Sequence, residues 1–457
     1  MKDTVTIITI DSKPLYKTLA VVALPIALQS LIASSLTLVD NLMVGSLGEV
    51  ELAAVGLSVQ FYFVHWMVMF GFTSGASTFM SQYWGKKDLH SIRKVAGFAI
   101  TVCFTVSLFF FIPAMFFPEA VLRLFTNIPE AIALGTQYVR TGAICFLVLS
   151  FTVPLTACLR ITQQTSIPLK ISMVAFATNT FLNYLFIFGN FGAPDLGVMG
   201  AALATAISRC LELIITLVVI FGRKNIVAGK MSEFFGWTKN LMFRVTANAL
   251  PTTINETMWG LGMATYSAAY GRMGVTEFAS IQASTTINNV FVLAIFSLGD
   301  AVLILVGQRL GRGEIDYAVA LAKRLVKIGM VVGAIAGVVL MVTSKFLIQL
   351  FEFTPLGQDY TFYILLIYGL FMTLKLYNGI CVTGTLRCGG DTTFAMITEV
   401  SCVWFIGVPL VFLGALYWKL PIYFVVLLAQ AEEVMKFFIL GHRYRSLKWA
   451  KNVINKV

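Results

Sequence analysis

LAVVALPIALQSLIASSLTLVDNLMVG, from Leu19 to Gly45, decides the class of fold. Its 27 residues are mostly apolar or small, and Asp40 is the one ionisable residue among them. Because an α-helix rises about 1.5 Å per residue, about 20 such residues cross the hydrocarbon of a bilayer. The stretch therefore predicts a membrane-spanning helix. A carboxylate inside such a helix costs about 2.5–3.5 kcal/mol and is usually functional, unless Asp40 lies near enough to the helix end to reach water.

The pattern of this helix returns 226 residues later, in ALPTTINETMWGLGMATYSAAYGRMGVTEFASIQAS from Ala249 to Ser284. The offset aligns Pro25 with Pro251. It persists as far as SQYWGKKD and GQRLGRGE, where Gly85 aligns with Gly311. A constant offset over such a length indicates that the chain is a duplicated unit.

The composition is that of a polytopic membrane protein. Apolar residues make up 58% of the 457 residues and charged residues 12%, whereas soluble domains carry about 25% charged residues. Apolar spans lie near 19–45, 52–79, 95–117, 137–159, 168–190 and 198–222, and then near 245–270, 278–305, 325–348, 361–386, 393–416 and 420–440. The expected fold class is therefore all-α, with twelve transmembrane helices in two six-helix lobes. Because six is an even number, both copies enter the membrane from the same side, and the repeats are parallel.

The longest polar interruption is expected to divide the lobes. We expect an N-lobe over 1–222, a cytoplasmic linker over 223–244 with one surface helix, and a C-lobe over 245–457 that ends in a cytoplasmic tail.

With both termini in the cytoplasm, most basic residues, Arg387 among them, fall in inner segments. Five fall in outer segments: Arg123, Arg140, Arg272, Lys345 and Lys419. This bias predicts a multi-pass protein of the cell membrane. The net charge of +11 then reflects topology and contact with anionic membrane lipids rather than nucleic-acid binding.

Polar side chains within the first six spans outline a candidate ion site. Asn179 and Asn183 are four residues apart in ATNTFLNYLF, so they share one helix face. They lie at a depth similar to that of Asp40, which allows one carboxylate and two amides to meet. Such oxygens can coordinate a small hard cation or hold a proton whose release follows a conformational change. The alternative is that the asparagines only join helices by hydrogen bonds, which would explain Asp40 less well.

Polar residues also interrupt the spans of the second half, namely Glu256, Asp300, Lys375, Asn378 and Glu399. Glu256 and Lys375 each lie eleven residues from the inner end of their spans as drawn above. Equal depth favours an ion pair between them, since pairing lowers the cost of both charges. The duplicate of Asp40 is Tyr266, so the two halves differ in where they keep their acids.

These features resemble the multidrug and toxic compound extrusion (MATE) family of cation-coupled exporters. The resemblance extends over essentially the whole chain and includes TACLRITQQT, NTFLNYLFIFG, LGVMGAALATAISR and TGTLRCGGDT. It implies two six-helix lobes around a cleft that opens alternately to the two sides of the membrane. It also implies a monomeric antiporter, not an enzyme, that exports amphipathic, often cationic drugs in exchange for H⁺ or Na⁺. No cofactor is expected beyond that coupling ion.

The resemblance also assigns roles by position. Asp40 corresponds to the coupling acid, and Na⁺ is a candidate ligand there. The remaining positions of the cation-coupling site are Asn179, Asn183, Ala201 and Thr205. One branch of the family has an aspartate where this chain has Asn183, which argues against a mechanism with two carboxylates at this site.

In the second half, the resemblance indicates a substrate cavity or polar site formed by Asn255, Glu256, Trp259, Lys375 and Asn378. Trp259 and Leu376 occupy positions that are acidic in the norfloxacin-exporter branch. The second cation site of that branch is therefore not expected in the same form here.

Two other classes of function were weighed against a drug exporter. A flippase for lipid-linked oligosaccharide precursors is the alternative, but that class tends towards fourteen spans or a cationic central cavity, whereas Asp40 and Glu256 make this interior mixed in charge. A membrane-embedded enzyme would need a paired His/Asp or metal constellation within the membrane, and the spacing of the residues indicates none.

Overall fold

The computed structural model describes residues 12–349, 351 and 353–455, and all regular structure in them is helical. The helices of the first half are α1 (Ser12–Gly45), α2 (Glu49–Gly85), α3 (Leu89–Phe116), α4 (Pro118–Arg123), α5 (Pro129–Gly142), α6 (Ile144–Ile161), α7 (Ser166–Phe188), α8 (Gly197–Leu217) and α9 (Met231–Phe235). Those of the second half are α10 (Lys239–Gly271), α11 (Val275–Gly311), α12 (Ile315–Ile348), α13 (Pro355–Gly379), α14 (Thr392–Cys402), α15 (Val408–Phe412), α16 (Ile422–Ala429) and α17 (Ala431–Arg445).

The helices account for the twelve predicted spans. Ten helical stretches among the described residues are long and apolar enough to cross a bilayer. The other two spans are α10, which carries threonine, asparagine and glutamate, and the consecutive pair α16 and α17, which carries charged residues. The all-α, twelve-helix fold class is therefore confirmed, and polar side chains explain why hydropathy alone finds ten spans.

Several of these helices continue into π-helical turns. Such turns occur at Val218–Gly222, Ile380–Leu386, Val403–Gly407 and Leu413–Tyr417. Three of the four lie in the second half of the chain. π-Helical turns are rare and are frequently found at functional sites, so these breaks direct attention to the polar side chains beside them.

By their contacts, the described residues separate into two units. The first unit comprises Leu24–Met80 and Lys87–Thr253. The second unit comprises the start of α1 through Ala23, the short segment Ser81–Lys86, and the chain from Ile254 onward. The end of α2 thus packs with the second half of the chain, although the rest of that helix belongs to the first unit.

In the first unit, a close approach of α7 and α8 prepares the candidate site. A Cβ atom on Gly200 would lie 2.4 Å from the carbonyl oxygen of Phe186, so the backbones can approach this closely only because residue 200 is glycine. Val44 of α1, Ile187 of α7 and Ala201 of α8 pack together in one buried apolar cluster. This packing fixes the three helices that carry the polar residues of the first half.

Between the two halves, α9 lies within the predicted linker and packs against α3. Phe234 is buried, and a Cβ atom on Gly97 of α3 would lie 1.8 Å from its carbonyl oxygen. Glu233 accepts a hydrogen bond from the backbone N–H of Lys230 and forms an ion pair of 3.1 Å with Arg93 of α3. The linker is therefore held against α3, and the exact lobe boundaries remain a prediction.

In the second unit, the duplicated motifs SQYWG and GQRLG contact each other. A Cβ atom on Gly85 would lie 2.0 Å from the carbonyl oxygen of Gln308, and one on Gly311 would lie 1.9 Å from that of Gln82. The contact is reciprocal because each glycine faces the glutamine of the other repeat. The Gln82 side chain also donates to the carbonyl oxygen of Lys451 at 3.0 Å, so the C-terminal segment packs against the same contact.

We expect Gly311→Leu to destabilise this contact, because the new side chain would overlap the backbone of Gln82. Overpacking of this kind costs about 1–3 kcal/mol. The measurement is the thermal unfolding midpoint of the detergent-solubilised protein. Gly56→Leu is the matched control, since a Cβ atom there meets nothing within 4 Å. Equal midpoints for the two variants would contradict the expectation.

Candidate functional site

A chain of hydrogen bonds joins the polar residues that the sequence pointed to in the first half. Asn183 Nδ2 donates to Asp40 Oδ1 and lies 3.1 Å from Asn179 Oδ1, to which it also donates. Asn179 Nδ2 in turn donates to Thr205 Oγ1 at 3.2 Å. The structure therefore brings together the acid of α1, the two amides of α7 and the hydroxyl of α8. Ser208, which the sequence did not single out, extends the chain at 3.5 Å from Asn179 Nδ2.

The surroundings of Asp40 combine burial with an incomplete set of partners. The side chains of Asn179 and Asn183 are fully buried, while Asp40 is half-buried. The buried oxygen Oδ1 of Asn183 has no hydrogen-bond partner, which normally costs about 1–3 kcal/mol. A bound proton donor or a small cation beside Asp40 would satisfy this oxygen.

A nearby cation acts on Asp40 but is paired with another acid. Arg209 acts electrostatically on Asp40, but its guanidinium forms its own ion pair of 2.7 Å with Glu212. Ala201 does not contribute an oxygen. It packs with Tyr138 in the apolar cluster described above. Carboxylate, amide and hydroxyl oxygens thus converge in apolar surroundings, a donor set suited to a proton or a small hard cation.

In the second half, the ion pair predicted between Glu256 and Lys375 is wrong. Glu256 Oε1 lies 2.7 Å from Arg387 Nη2, and the side chains of Glu256 and Arg387 are 9% and 2% exposed. The prediction placed Arg387 in an inner loop, whereas the π-helical turn Ile380–Leu386 continues α13 directly up to it. Arg387 is therefore buried, and its charge is paired with the buried acid Glu256.

Lys375 of α13 lies instead near charged side chains of α17. The charges that act on it most strongly are those of Glu433 and Glu432. Lys436 lies 3.4 Å from Glu432 and 3.5 Å from Glu433. Asn378 Nδ2 donates to the backbone oxygen and to Oε2 of Glu433, both at 2.8 Å. Lys375 and Asn378 thus both lie beside Glu433, an acid that the sequence analysis did not name.

The remaining predicted residues of the second half are Asn255 and Trp259. Asn255 Nδ2 donates to Glu399 Oε2 at 2.7 Å, so Asn255 joins α10 to α14. Trp259 is half-buried on α10. Sequence reasoning could have found Glu432, Glu433 and Lys436 from the three charges within the predicted span 420–440, because charges within a membrane span are a functional signal in themselves.

Comparison with known proteins identifies the family. The family model described as MatE matches residues 25–185 and 251–413, once in each half of the duplication. The chain belongs to the MatE family. It is therefore a membrane-spanning transporter.

Named relatives align with this MatE-family chain almost from end to end. The Probable multidrug resistance protein YoeA of Bacillus subtilis is 25% identical, with 98% of this chain and 97% of YoeA covered. The Probable multidrug resistance protein NorM of Thermotoga maritima is 22% identical, with 96% and 94% covered. Among solved structures, a crystal structure of MATE in complex with MaL6 has a TM-score of 0.86 at 16% identity, with 96% of this chain and all of that chain covered. At that identity the structural likeness shows the fold alone.

Proposed function

We propose that this chain is a secondary active antiporter that exports amphipathic, often cationic organic compounds in exchange for H⁺ or Na⁺. The observation that carries the proposal is the contact of Asp40 with Asn183, beside a buried amide oxygen that has no partner. The names of the relatives, as probable multidrug resistance proteins, support the substrate class. On this proposal the protein acts as a monomer in the cell membrane, with both termini in the cytoplasm.

The exchange follows from competition between two ligands for different conformations. An ion that binds at Asp40 stabilises one state of the transporter, and the organic substrate stabilises another. A ligand with equal affinity for both states shifts nothing. The Asp40 site meets the requirement for a switch, because ion binding there changes the net charge of a set of residues that joins α1, α7 and α8.

Efflux from proteoliposomes tests the proposal. Vesicles loaded with a fluorescent cationic dye are given a pH gradient or a Na⁺ gradient, each applied separately. We expect one of the two gradients to drive dye movement well above the rate of protein-free vesicles, and the active gradient identifies the coupling ion. If neither gradient moves any of a panel of such dyes, the exporter proposal is overturned.

A further inference from the structure

A group of buried and half-buried charged side chains in the second unit is not used by the site at Asp40. Its acids are Glu256, Glu399, Glu432 and Glu433, and its bases are Lys375, Arg387 and Lys436. They come from α10, α13, α14, α17 and the end of the π-helical turn after α13. Four carboxylates face three cations, so the group carries one excess negative charge when every member is ionised.

The ion pairs of this group involve acids other than Glu399. Arg387 pairs with Glu256 at 2.7 Å. Lys436 lies within 3.5 Å of both Glu432 and Glu433, and Lys375 supplies the second positive charge near those two acids. None of the ion pairs among residues 12–349, 351 and 353–455 includes Glu399. Glu399 is half-buried on α14 within a predicted membrane span, where an ionised side chain without a partner is costly.

Asn255 donates a hydrogen bond to Glu399 but lacks a hydrogen-bond partner for its own side-chain oxygen. Asn255 Nδ2 donates to Glu399 Oε2 at 2.7 Å, and Asn255 is 3% exposed. The other atom of the same amide group, Asn255 Oδ1, is buried and has no hydrogen-bond partner. A protonated carboxyl group would provide the missing donor, because it carries one O–H besides its acceptor oxygen. The unpaired acid and the unpaired amide oxygen are thus independent signs of one missing proton.

We propose that Glu399, held by Asn255, is a second proton-binding site of this protein. A proton fits better than a metal cation, because cations such as Ca²⁺ take about 6–8 oxygen ligands. The described residues contain no group of three or more His, Cys, Asp or Glu side chains arranged to hold a metal ion. One proton on Glu399 removes the excess charge of the group and requires no further ligand.

The neighbours of Glu399 connect this proton to the rest of the unit. The charges that act on Glu399 are those of Lys436 and Glu433 of α17 and Glu256 of α10, and the Cys402 thiol of α14 also interacts with it. Through these groups Glu399 is linked to Glu432, Lys375 and Arg387, which interact with Lys436, Glu433 and Glu256 respectively. Immediately after α14, the π-helical turn ends at Gly407, where a Cβ atom would lie 1.7 Å from the Tyr266 hydroxyl. That hydroxyl donates to Glu432 at 2.8 Å. Loss of the proton would therefore change the electrostatic interaction of Glu399 with Lys436, and through Lys436 that of Glu432, next to the π-helical turn that ends at Gly407. Its use in coupling rests on the proposed antiport function, whereas proton binding itself does not.

Infrared difference spectroscopy of the full-length protein in detergent tests proton binding without any transport assay. We expect the wild-type protein at neutral pH to show the C=O band of a protonated carboxylic acid, with the shift that follows exchange into D₂O. Glu399→Gln should remove the part of this band that comes from one carboxyl group. Glu399→Asp should retain that intensity at a shifted frequency, and it remains informative if the glutamine variant does not fold. Glu130→Gln, at an exposed acid on α5, should leave the band unchanged.

Two results would overturn the assignment. One is the same band intensity in wild type and Glu399→Gln, which would mean that Glu399 is ionised. The other is loss of the Glu399 contribution to the band when choline chloride is replaced by sodium chloride, which would assign the site to Na⁺. Asp40→Asn should retain the Glu399 contribution, so a failure of the proposed exporter function is distinguishable from a failure of this second site.

Discussion

Replacement of Asp40 by asparagine is expected to reduce gradient-driven dye efflux to the rate of protein-free vesicles. The asparagine side chain has nearly the same size as aspartate and can still accept a hydrogen bond from Asn183. The hydrogen bonds to Asn179 and Thr205 can therefore be retained. What the variant loses is the ability to change charge. Without that change, neither H⁺ nor Na⁺ has a differential affinity for the states of the transporter, and the gradient cannot shift their populations.

The measurement is efflux from proteoliposomes under the active gradient, at matched protein content. Asp359→Asn is the control, since it makes the same chemical change at an exposed position of α13. Dye binding and the thermal unfolding midpoint should be similar in wild type and Asp40→Asn, which separates a loss of coupling from a loss of fold. Equal efflux by wild type and Asp40→Asn would remove Asp40 from the mechanism.

The second large effect is expected for Glu256→Gln, which should destabilise the protein by about 3–5 kcal/mol. Arg387 is 2% exposed and cannot lose its proton. Its charge would remain buried after the carboxylate is gone. The cost is thus mainly that of a buried cation that has lost the carboxylate 2.7 Å from it. The measurement is thermal or denaturant unfolding of the detergent-solubilised protein.

A matched control comes from an exposed pair of the same residue types. Glu119 and Arg123 lie 2.7 Å apart with side chains 59% and 66% exposed, and such surface pairs contribute about 0–1 kcal/mol. Glu119→Gln should therefore change the unfolding midpoint little. The double variant Glu256→Gln/Arg387→Gln should recover part of the loss, because it removes the buried cation together with the carboxylate. A Glu256→Gln protein as stable as Glu119→Gln would contradict the role given to this pair.

The agreement between sequence and structure is closest around Asp40, for a simple geometric reason. Asn179 and Asn183 are one helical turn apart, so their shared face is a property of the chain and needs no partner to define it. Thr205 follows from the close approach that Gly200 permits between α7 and α8. The orphaned oxygen of Asn183, by contrast, could be recognised only in the folded protein.

The second half shows where reasoning from the sequence reached its limit. Depth in the membrane was counted from the ends of apolar runs, but α10 begins at Lys239, six residues before the predicted span. Glu432, Glu433 and Lys436 lie within the last predicted span, 420–440, and were not considered as partners because that span was judged by its apolar residues. An error of a few residues in depth is enough to exchange one partner for another.

The sequence by itself determined the membrane-spanning class, the duplication, the twelve helices and the residues on one face of α7. These depend on the rise of a helix, the thickness of a bilayer and the spacing of residues along one segment. Only the tertiary structure decided that Glu256 pairs with Arg387 and that Glu399 is left with Asn255. A buried charge takes the nearest opposite charge in space, and that neighbour is set by how separate helices pack rather than by any pattern within one of them.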